Sequence, residues 1–584
     1  MRTLLYIILN QTFPPMKTTA TLRRLAMVCA LMSPTLLLNS QTLFFSWADH
    51  LGGTGYDLVN NTCTDNLGNV YATGVFRNTV DFDPGSGTSN LTSAGVQDVF
   101  VTKVDAFGQL SWAVKVGGSG IDMGNEIAID AYGYIYVAGS FEGTVDFDPG
   151  SGTANLTSQT AASSFILKLS PAGGYVWAKT IGSNLGTSAE GLSVSAAGVV
   201  HVGGNFSGTA DLNPGSGTQT AVTVGNVDMY LVELDSAGVF SWGINFGSNG
   251  LDGVAAVAED VNGDIAMTGY FANTCDFDPS GSTSSLTATG NDCFVAKYTS
   301  SGSYSWAKKL GGGGTDGGAD IIMDFSGNVY TTGYFDGTAD FDPGAGTVTF
   351  TASTGISDAF VSCLTSTGTY SWAAQLGGSS VDVGQSIALD ITGNVYTTGR
   401  FSGTADFDPS AATSSLTSAG VEDVFVSKLS SSGAFVSAHK FGASGNDNGL
   451  SISLDASNNV FVAGYFNGTT DVDPQASVWN LVTNGQDDGY IVKMSQSGVG
   501  IAEQSAPFKS SIYPNPTAGI ITISFDADHS QQTQVRLFTI DGTLLNAMEV
   551  SGNTAQMDLT GFASGTYLVQ VENENGISTT RVVR

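Results

Sequence analysis

Apolar and polar residues alternate in short runs along the chain, and the runs recur. One stretch holds four: Glu126-Ile127-Ala128-Ile129-Asp130, Tyr134 to Phe141, Phe165-Ile166-Leu167-Lys168 and Val176-Trp177-Ala178-Lys179. Each shows period-two alternation or a β-branched and aromatic run, bounded by Gly, Asn, Asp or Ser, which reads as a strand. No segment of useful length has a helical period. The same set of four returns with a fixed repeat. A Phe-x-x-Thr-x-Asp signature falls at Phe76, Phe141, Phe206, Phe271, Phe335, Phe401 and Phe466, with spacings of 65, 65, 65, 64, 66 and 65 residues. Trp47, Trp112, Trp177, Trp242, Trp306 and Trp372 keep that period, and Ser437 fills the seventh place. Four short strands repeated seven times predict an all-β fold, a seven-bladed β-propeller with one sheet per blade.

The ends of the array predict how it closes. The first Trp run, Phe45-Ser46-Trp47-Ala48, precedes the first complete set, and no Trp run follows Lys493. The N-terminal strand is therefore expected to complete the last blade beside Tyr490 to Lys493. Closure of this kind removes the unpaired edges that would invite aggregation.

The repeats resemble the SBBP-type β-propeller repeat of exported bacterial proteins. Gly327-Asn328-Val329-Tyr330-Thr331-Thr332-Gly333, Gly393-Asn394-Val395-Tyr396-Thr397-Thr398-Gly399 and Asp423-Val424-Phe425-Val426-Ser427-Lys428 carry the likeness. It runs from about Phe44 to Met494 and implies a fold, not a reaction.

After Met494 the period stops. Residues 495–507 read as a linker, and 508–584 as a second, small Ig-like β-sandwich, with strands at Ile520–Phe525, Gln534–Thr539, Thr543–Val550 and Tyr567–Val571. Asp541-Gly542 is a hairpin turn. Tyr513-Pro514-Asn515-Pro516, Gly519, Asp541-Gly542 and Gly565-Thr566-Tyr567, in that order before the terminal Arg581-Val582-Val583-Arg584, resemble the type A sorting domain of the type IX secretion system of Bacteroidota. That resemblance implies passage across the outer membrane, with the type IX machinery as a partner. The product would be released or attached to the cell surface.

At the other end, Lys17, Arg23 and Arg24 precede an apolar stretch from Leu25 to Leu38, too short to span a bilayer comfortably. Residues 1–40 read as a secretory signal peptide cleaved before Gln41, with Met16 as an alternative start. The propeller then occupies 41–494, and no transmembrane segment is expected after cleavage. Cys63, Cys275, Cys293 and Cys363 remain, in neither a zinc nor a disulfide-framework spacing. They read as small buried side chains, although Cys275 and Cys293 share one repeat and could pair.

Composition narrows the function. The chain has 584 residues, 76 glycines, 20 Lys+Arg against 52 Asp+Glu, and a net charge of -32. Too few cations are present for general nucleic-acid binding or for docking on an acidic membrane.

The candidate chemistry lies in an Asp-rich loop. Its first acid is Asp81, Asp146, Asp211, Asp276, Asp340, Asp406 or Asp471, and its second is Asp83, Asp148, Asn213, Asp278, Asp342, Asp408 or Asp473. Residues i and i+2 of a strand point to one side. Carboxylates about 7 Å apart in water repel by only ~0.6 kcal/mol, so Ca²⁺ is permitted and not required. Ca²⁺ wants roughly six to eight oxygens, so carbonyls and waters would have to complete such a site. The preferred reading is a turn, in which Asp and Asn accept bonds from their own backbone. The Ca²⁺ reading uses the Asp pairs of every repeat except the third.

A further acid recurs in the Gly-rich loop: Asp57, Asp122, Asp252, Asp316, Asp382 and Asp447, with Thr187 in the third repeat. Both Asp sets are expected on one rim, and the joint change to Thr187 and Asn213 hints at cooperation around Ca²⁺. Asp98, Asp228, Asp292, Asp358, Asp423 and Asp488 read as turn residues. The Trp and Tyr series read as core. His50, His201, His439 and His529 fall in unrelated places, and no repeat carries a long insertion, so catalysis is not the favoured reading. The expectation is an exported binding or adhesion module with a glycan or protein ligand on the rim. A polysaccharide-acting enzyme, or a structural surface protein, is the alternative.

Overall fold

The computed structural model describes residues 43–496, apart from 86, 160, 353–355 and 476. In the C-terminal part it describes 510–584, apart from 514–518, 526–531, 540–543, 552–553, 563–565 and 574–575. The expected signal peptide, Met16, most of the linker and His529 lie outside the described residues. The described residues contain strands and no α-helix. The chain divides into two compact units, Met1–Ser497 and Gly498–Arg584.

In the first unit, four consecutive long strands pair antiparallel in chain order, and this happens repeatedly. The first such sheet holds Leu58–Thr64, Val70–Phe76, Asp98–Val104 and Leu110–Val116. The second strand of each sheet is buried almost throughout, which explains its Val-, Tyr- and Thr-rich sequence. Among the described residues seven such four-strand sets occur, the last being Asn448–Leu454, Val460–Phe466, Asp488–Gln496 and the N-terminal Leu43–Leu51. The N-terminal strand pairs as its displaced Trp run suggests: Trp47 lies opposite Lys493 and His50 opposite Tyr490.

The innermost strands, the first of each set, pack on one another in sequence, and the last packs on the first. Thr62 N–H donates to Ser451 Oγ at 3.0 Å across that final junction. Each innermost strand carries a bulge at one register position, as between Val59 and Asn61 or Gly124 and Glu126.

Six of the seven tryptophans bind one sheet to the next, and at the remaining junction Ser437 stands in the place. Trp47 Nε1–H donates to Ala106 O at 3.2 Å, and Trp112, Trp177, Trp242, Trp306 and Trp372 do the same to Pro171, Ser236, Ser300, Ser366 and Ser431 at 3.0–3.3 Å. Each acceptor belongs to the turn before the outermost strand of the following repeat. A positive-φ glycine lies under the ring there; a Cβ on Gly173 (φ 78°) would meet Trp112 at 3.1 Å. The expectation that the tryptophans serve packing between repeats agrees with this geometry.

The C-terminal unit has two antiparallel sheets. One joins Ser510–Tyr513, Ile520–Phe525 and Thr554–Asp558. The other joins Leu544–Ser551, Gln532–Thr539, Thr566–Asn573 and Gly576–Val583. Ile521, Ile523, Val535, Leu537, Met557, Val569 and Val571 form a shared core. Among the described residues no helix is long and apolar enough to cross a membrane.

Candidate functional site

The Asp-rich loops are short hairpins, such as Thr79–Asp81 paired with Asn90–Thr92. Their first acid closes the hairpin. Asp81 Oδ1 accepts from Asp83 N at 3.1 Å and Ser89 N at 2.7 Å, and Asp146 Oδ1 accepts from Asp148 N at 3.1 Å and Ala154 N at 2.7 Å. Asp211, Asp276, Asp340, Asp406 and Asp471 repeat the pattern. The second residue caps the next turn, as Asp83 Oδ1 does for Gly85 N at 2.8 Å; Asp148, Asn213, Asp278, Asp342, Asp408 and Asp473 follow suit. Asn213 performs the same task as its aspartate counterparts, so these bonds need no second charge. Among the described residues no group of three or more His, Cys, Asp or Glu could hold a metal ion.

The Gly-rich-loop acids sit close to these hairpins. Gly117 pairs with Asp146 through the backbone, and Gly118 N–H donates to Asp122 Oδ2 at 2.6 Å. Asp122 Oδ1 accepts from Glu142 N at 3.1 Å. Asp57, Asp252, Asp316, Asp382 and Asp447 make the equivalent bonds, and all six are buried. Thr187 takes this place in the third repeat, with Ser164 N donating to its Oγ1 at 2.8 Å.

One expectation is corrected. Asp98, Asp228, Asp292, Asp358, Asp423 and Asp488 are not exposed turn residues. Asp98, Asp228, Asp423 and Asp488 begin strands, Asp358 is the second residue of one and Asp292 lies inside one, and all six are at most 2 % exposed. Each accepts a local or side-chain bond, such as Ala94 N on Asp98 Oδ2 at 2.9 Å or Gln375 Nε2 on Asp358 Oδ2 at 2.6 Å, but each also faces the next sheet. There it meets the Gly-rich-loop acid of the following repeat. Burial, then the neighbouring Asp358 charge, pushes Asp382 up to about 7. Burial also raises Asp57, Asp122 and Asp316 to about 6, as it does Asp358. The sequence displays both acid series but not that they face each other across the seam. The available signal was Ser163, which replaces the strand acid in the repeat just before Thr187.

The histidines are separate. His50 Nε2 lies 2.6 Å from Asp488 Oδ2. His201 stands 3.0 Å from Glu233 and 3.3 Å from Glu259; burial alone would lower its pKa, yet these glutamates hold it above the usual value. His439 accepts from Leu43 N at 3.4 Å, and burial lowers it. Arg400 pairs with Glu422 at 3.3 Å. Tyr71 and Tyr136 are buried, with their hydroxyls on Asp65 and Asp130 at 3.2 and 3.1 Å. Cys63, Cys275, Cys293 and Cys363 are free thiols. Burial pushes Cys293 up to about 12 and Cys363 to about 11, so both are inert.

A cleft of about 480 Å³ opens at the turns between first and second strands of the fourth to sixth repeats. Val261, Phe325 and Ile391 stand at its lip, 67, 79 and 77 % exposed. Its walls hold Ile322, Met323 and Leu389, with Glu259, Asp260, Asp324 and Asp390.

In the C-terminal unit, Tyr513 ends a strand and is half exposed. Gly519 is buried, and its carbonyl accepts from Leu559 N at 2.9 Å. Tyr567 joins the core beside Phe562. Pro514, Asn515, Pro516, Asp541, Gly542 and Gly565 lie outside the described residues. Residues 511–584 match the secretion system C-terminal sorting domain, and 371–403 match the β-propeller repeat SBBP.

The chain carries SBBP β-propeller repeat sequence and a C-terminal sorting domain. The sorting domain implies type IX secretion, hence an extracellular or cell-surface address and contact with that machinery. A WD repeat-containing protein of Acanthamoeba polyphaga mimivirus, L264, itself uncharacterized, is 23% identical over 504 residues. The match covers 72% of this chain and 36% of that protein, so the chain spans about a third of the relative's length. Among solved structures, a fungal alcohol oxidase of the AA5 family in complex with copper has 14% identity and TM-score 0.36, over 94% of this chain and all (100%) of that one. Sqt1 from Chaetomium thermophilum has 9% identity and TM-score 0.33, over 78% and 100% of the two chains. These TM-scores are too low to carry functional inference.

Proposed function

We propose that this chain is an exported seven-bladed β-propeller that works outside the cell as a binding or adhesion module. In this reading residues 1–40 are a signal peptide, 41–494 the propeller, 495–507 a linker, and 508–584 an Ig-like sorting domain. The observation that carries the binding reading is the arc of Val261, Phe325 and Ile391 over the cleft. The corresponding turns of the other repeats carry Asn66, Ala131, Ala196 and Ala456; Leu67 and Tyr132 stand exposed one position further on in the first two, so what sets the lip apart is three apolar side chains at one register position over one cleft. Large exposed apolar side chains grouped at an opening mark interaction sites. In the wall beneath them Asp260, Asp390 and Glu259 pair with Lys297, Lys428 and His201, while Asp324 accepts from its own turn and from Tyr330 and leaves one negative group for a ligand; apolar and basic groups together suit a polypeptide segment better than a neutral glycan.

The test is binding of immobilised protein to basic-apolar peptides and to a glycan array, with F325S and I391S variants. Peptide binding that weakens at least tenfold in both variants supports the reading. Binding that ignores both substitutions, or release of reducing sugar from a glycan, overturns it.

A further inference from the structure

The seams between consecutive sheets bring the two buried acid series side by side through a backbone bond. Asp122 N–H donates to Gln97 O at 3.1 Å, which places Asp122 next to Asp98. Asp252, Asp316, Asp447 and Asp57 donate likewise to Val227, Asn291, Glu422 and Asp487, at 2.8–3.2 Å, beside Asp228, Asp292, Asp423 and Asp488. At the fifth seam the carboxyls of Asp358 and Asp382 meet beside Gly377: a Cβ there would fall 2.7 Å from Asp358 Cγ and 2.9 Å from Asp382 Oδ2. A Cβ on Gly311 would fall 2.6 Å from Asp316 Oδ2 and 2.7 Å from Asp292 Oδ1. The pairs are buried, and in five of them the strand acid keeps one oxygen, Oδ1 of Asp98, Asp292, Asp358, Asp423 or Asp488, without a hydrogen-bond partner among the described residues.

We propose that each paired seam binds a proton between its two aspartates, making the ring of sheets a set of proton-held clamps. Two carboxylates in a dry contact cannot both ionise cheaply, and a shared proton supplies the donor that the orphan oxygen lacks. The remaining seam supports this. There Ser163 and Thr187 replace both acids, Thr180 stands where other sheets place Lys115, Lys309 or Lys440, and the backbone bond persists from Thr187 N to Ala162 O at 3.0 Å. Both acids are absent there together, as expected of two partners in one contact.

The surroundings set which clamp holds its proton longest. Lys115, Lys309 and Lys440 reach Asp98, Asp292 and Asp423 at 2.7–3.0 Å, and His50 reaches Asp488. Glu142 adds negative charge near Asp122, Tyr270 and Cys275 lie near Asp252, Cys293 and Tyr334 near Asp316, and Tyr490 near Asp447. The outer-strand group is the neutral Asn245 at the Asp228–Asp252 seam and the neutral Gln375 at the Asp358–Asp382 seam, where Arg400 on the next sheet is tied to Glu422. The latter seam binds its proton most tightly, in line with the raised carboxyls described above. A folded pKa above the unfolded value near 3.9 gives stability that is full below about pH 4. It is lost as pH rises through the folded values of about 6 and 7.

D358N tests the clamp, because the amide supplies a permanent donor toward Asp382 while its oxygen still accepts from Gln375. Melting of the full chain is followed from pH 5 to pH 8. The expected result is a wild-type melting temperature that falls with pH and a D358N curve that is flatter, crossing to roughly 1–2 °C above wild type at pH 8. Parallel curves overturn the proposal. Infrared absorption of wild type at pH 5 decides independently if D358N does not fold. A protonated-carboxyl band that vanishes on unfolding supports the clamp, and its absence overturns it.

Discussion

The backbone N–H of Asp57 donates to the carbonyl oxygen of Asp487 at 2.9 Å, joining the first complete sheet to the last. The N-terminal strand reinforces this junction. His50 on that strand bonds Asp488, whose carboxylate is otherwise sealed from water. H50A should therefore leave a buried acceptor short of its partner and cost on the order of 1–3 kcal/mol. Urea unfolding read by tryptophan fluorescence checks this. Deleting Leu43–Leu51 should do far more, exposing the edge of Asp488–Gln496 and producing aggregates on size-exclusion chromatography.

A second prediction concerns the glycine that follows each outermost strand. A Cβ on Gly377 would strike Asp358 Cγ at 2.7 Å, inside a seam that cannot widen without breaking its bonds. The same substitution at Gly182 meets the Gln159 side chain at 2.9 Å, which can swing away. G377A should destabilise by roughly 2 kcal/mol or more, and G182A by less than half of that. Equal losses in chemical denaturation would show that the seam acids do not govern this position.

The hairpin aspartates make a third case. Asp146 Oδ1 accepts two backbone N–H groups, so D146A should cost about 1–2 kcal/mol while D146N, which keeps that oxygen, should be nearly neutral. Adding Ca²⁺ or a chelator should leave the melting temperature unchanged. Stabilisation by Ca²⁺ that D146N abolishes would reinstate the metal reading.

What the sequence disclosed follows from how each feature is encoded. The four long strands of each repeat and the displaced N-terminal partner are legible because Phe76 and Trp47 head series with a fixed period, whereas the short hairpin strands such as Thr79–Asp81 and Asn90–Thr92 are too brief to show a pattern. The tight turn at Asp81 was legible because Asp-x-Asp-Pro acts on its own backbone. The contact of Asp98 with Asp122 was not, because each acid has its own local excuse in a turn and the bond that joins them runs from backbone to backbone. Thr187 shares its repeat with Asn213, whereas its informative companion is Ser163 in the repeat before. Neighbours across a seam belong to successive repeats, so changes must be compared one copy out of step. The Phe325 and Ile391 lip escaped for another reason: exposed apolar residues in single turns look like drift until the fold sets them together.

His201 gives a prediction whose sign is opposite to ordinary acid denaturation. Glu233 and Glu259 favour its protonated form, so its folded pKa lies above the unfolded value near 6.5. The stability it contributes is full below that pH and is lost as pH rises through the folded value. In H201Q that pH-dependent increment should vanish. Comparing urea midpoints at pH 6 and pH 8.5 should show a larger gap between wild type and H201Q at pH 6. The surrounding glutamates, left without a cation, should make the variant less stable there by on the order of 1–3 kcal/mol. A gap that is the same at both pH values would mean that His201 acts through packing on Trp242, whose ring lies 6.1 Å away, rather than through its charge.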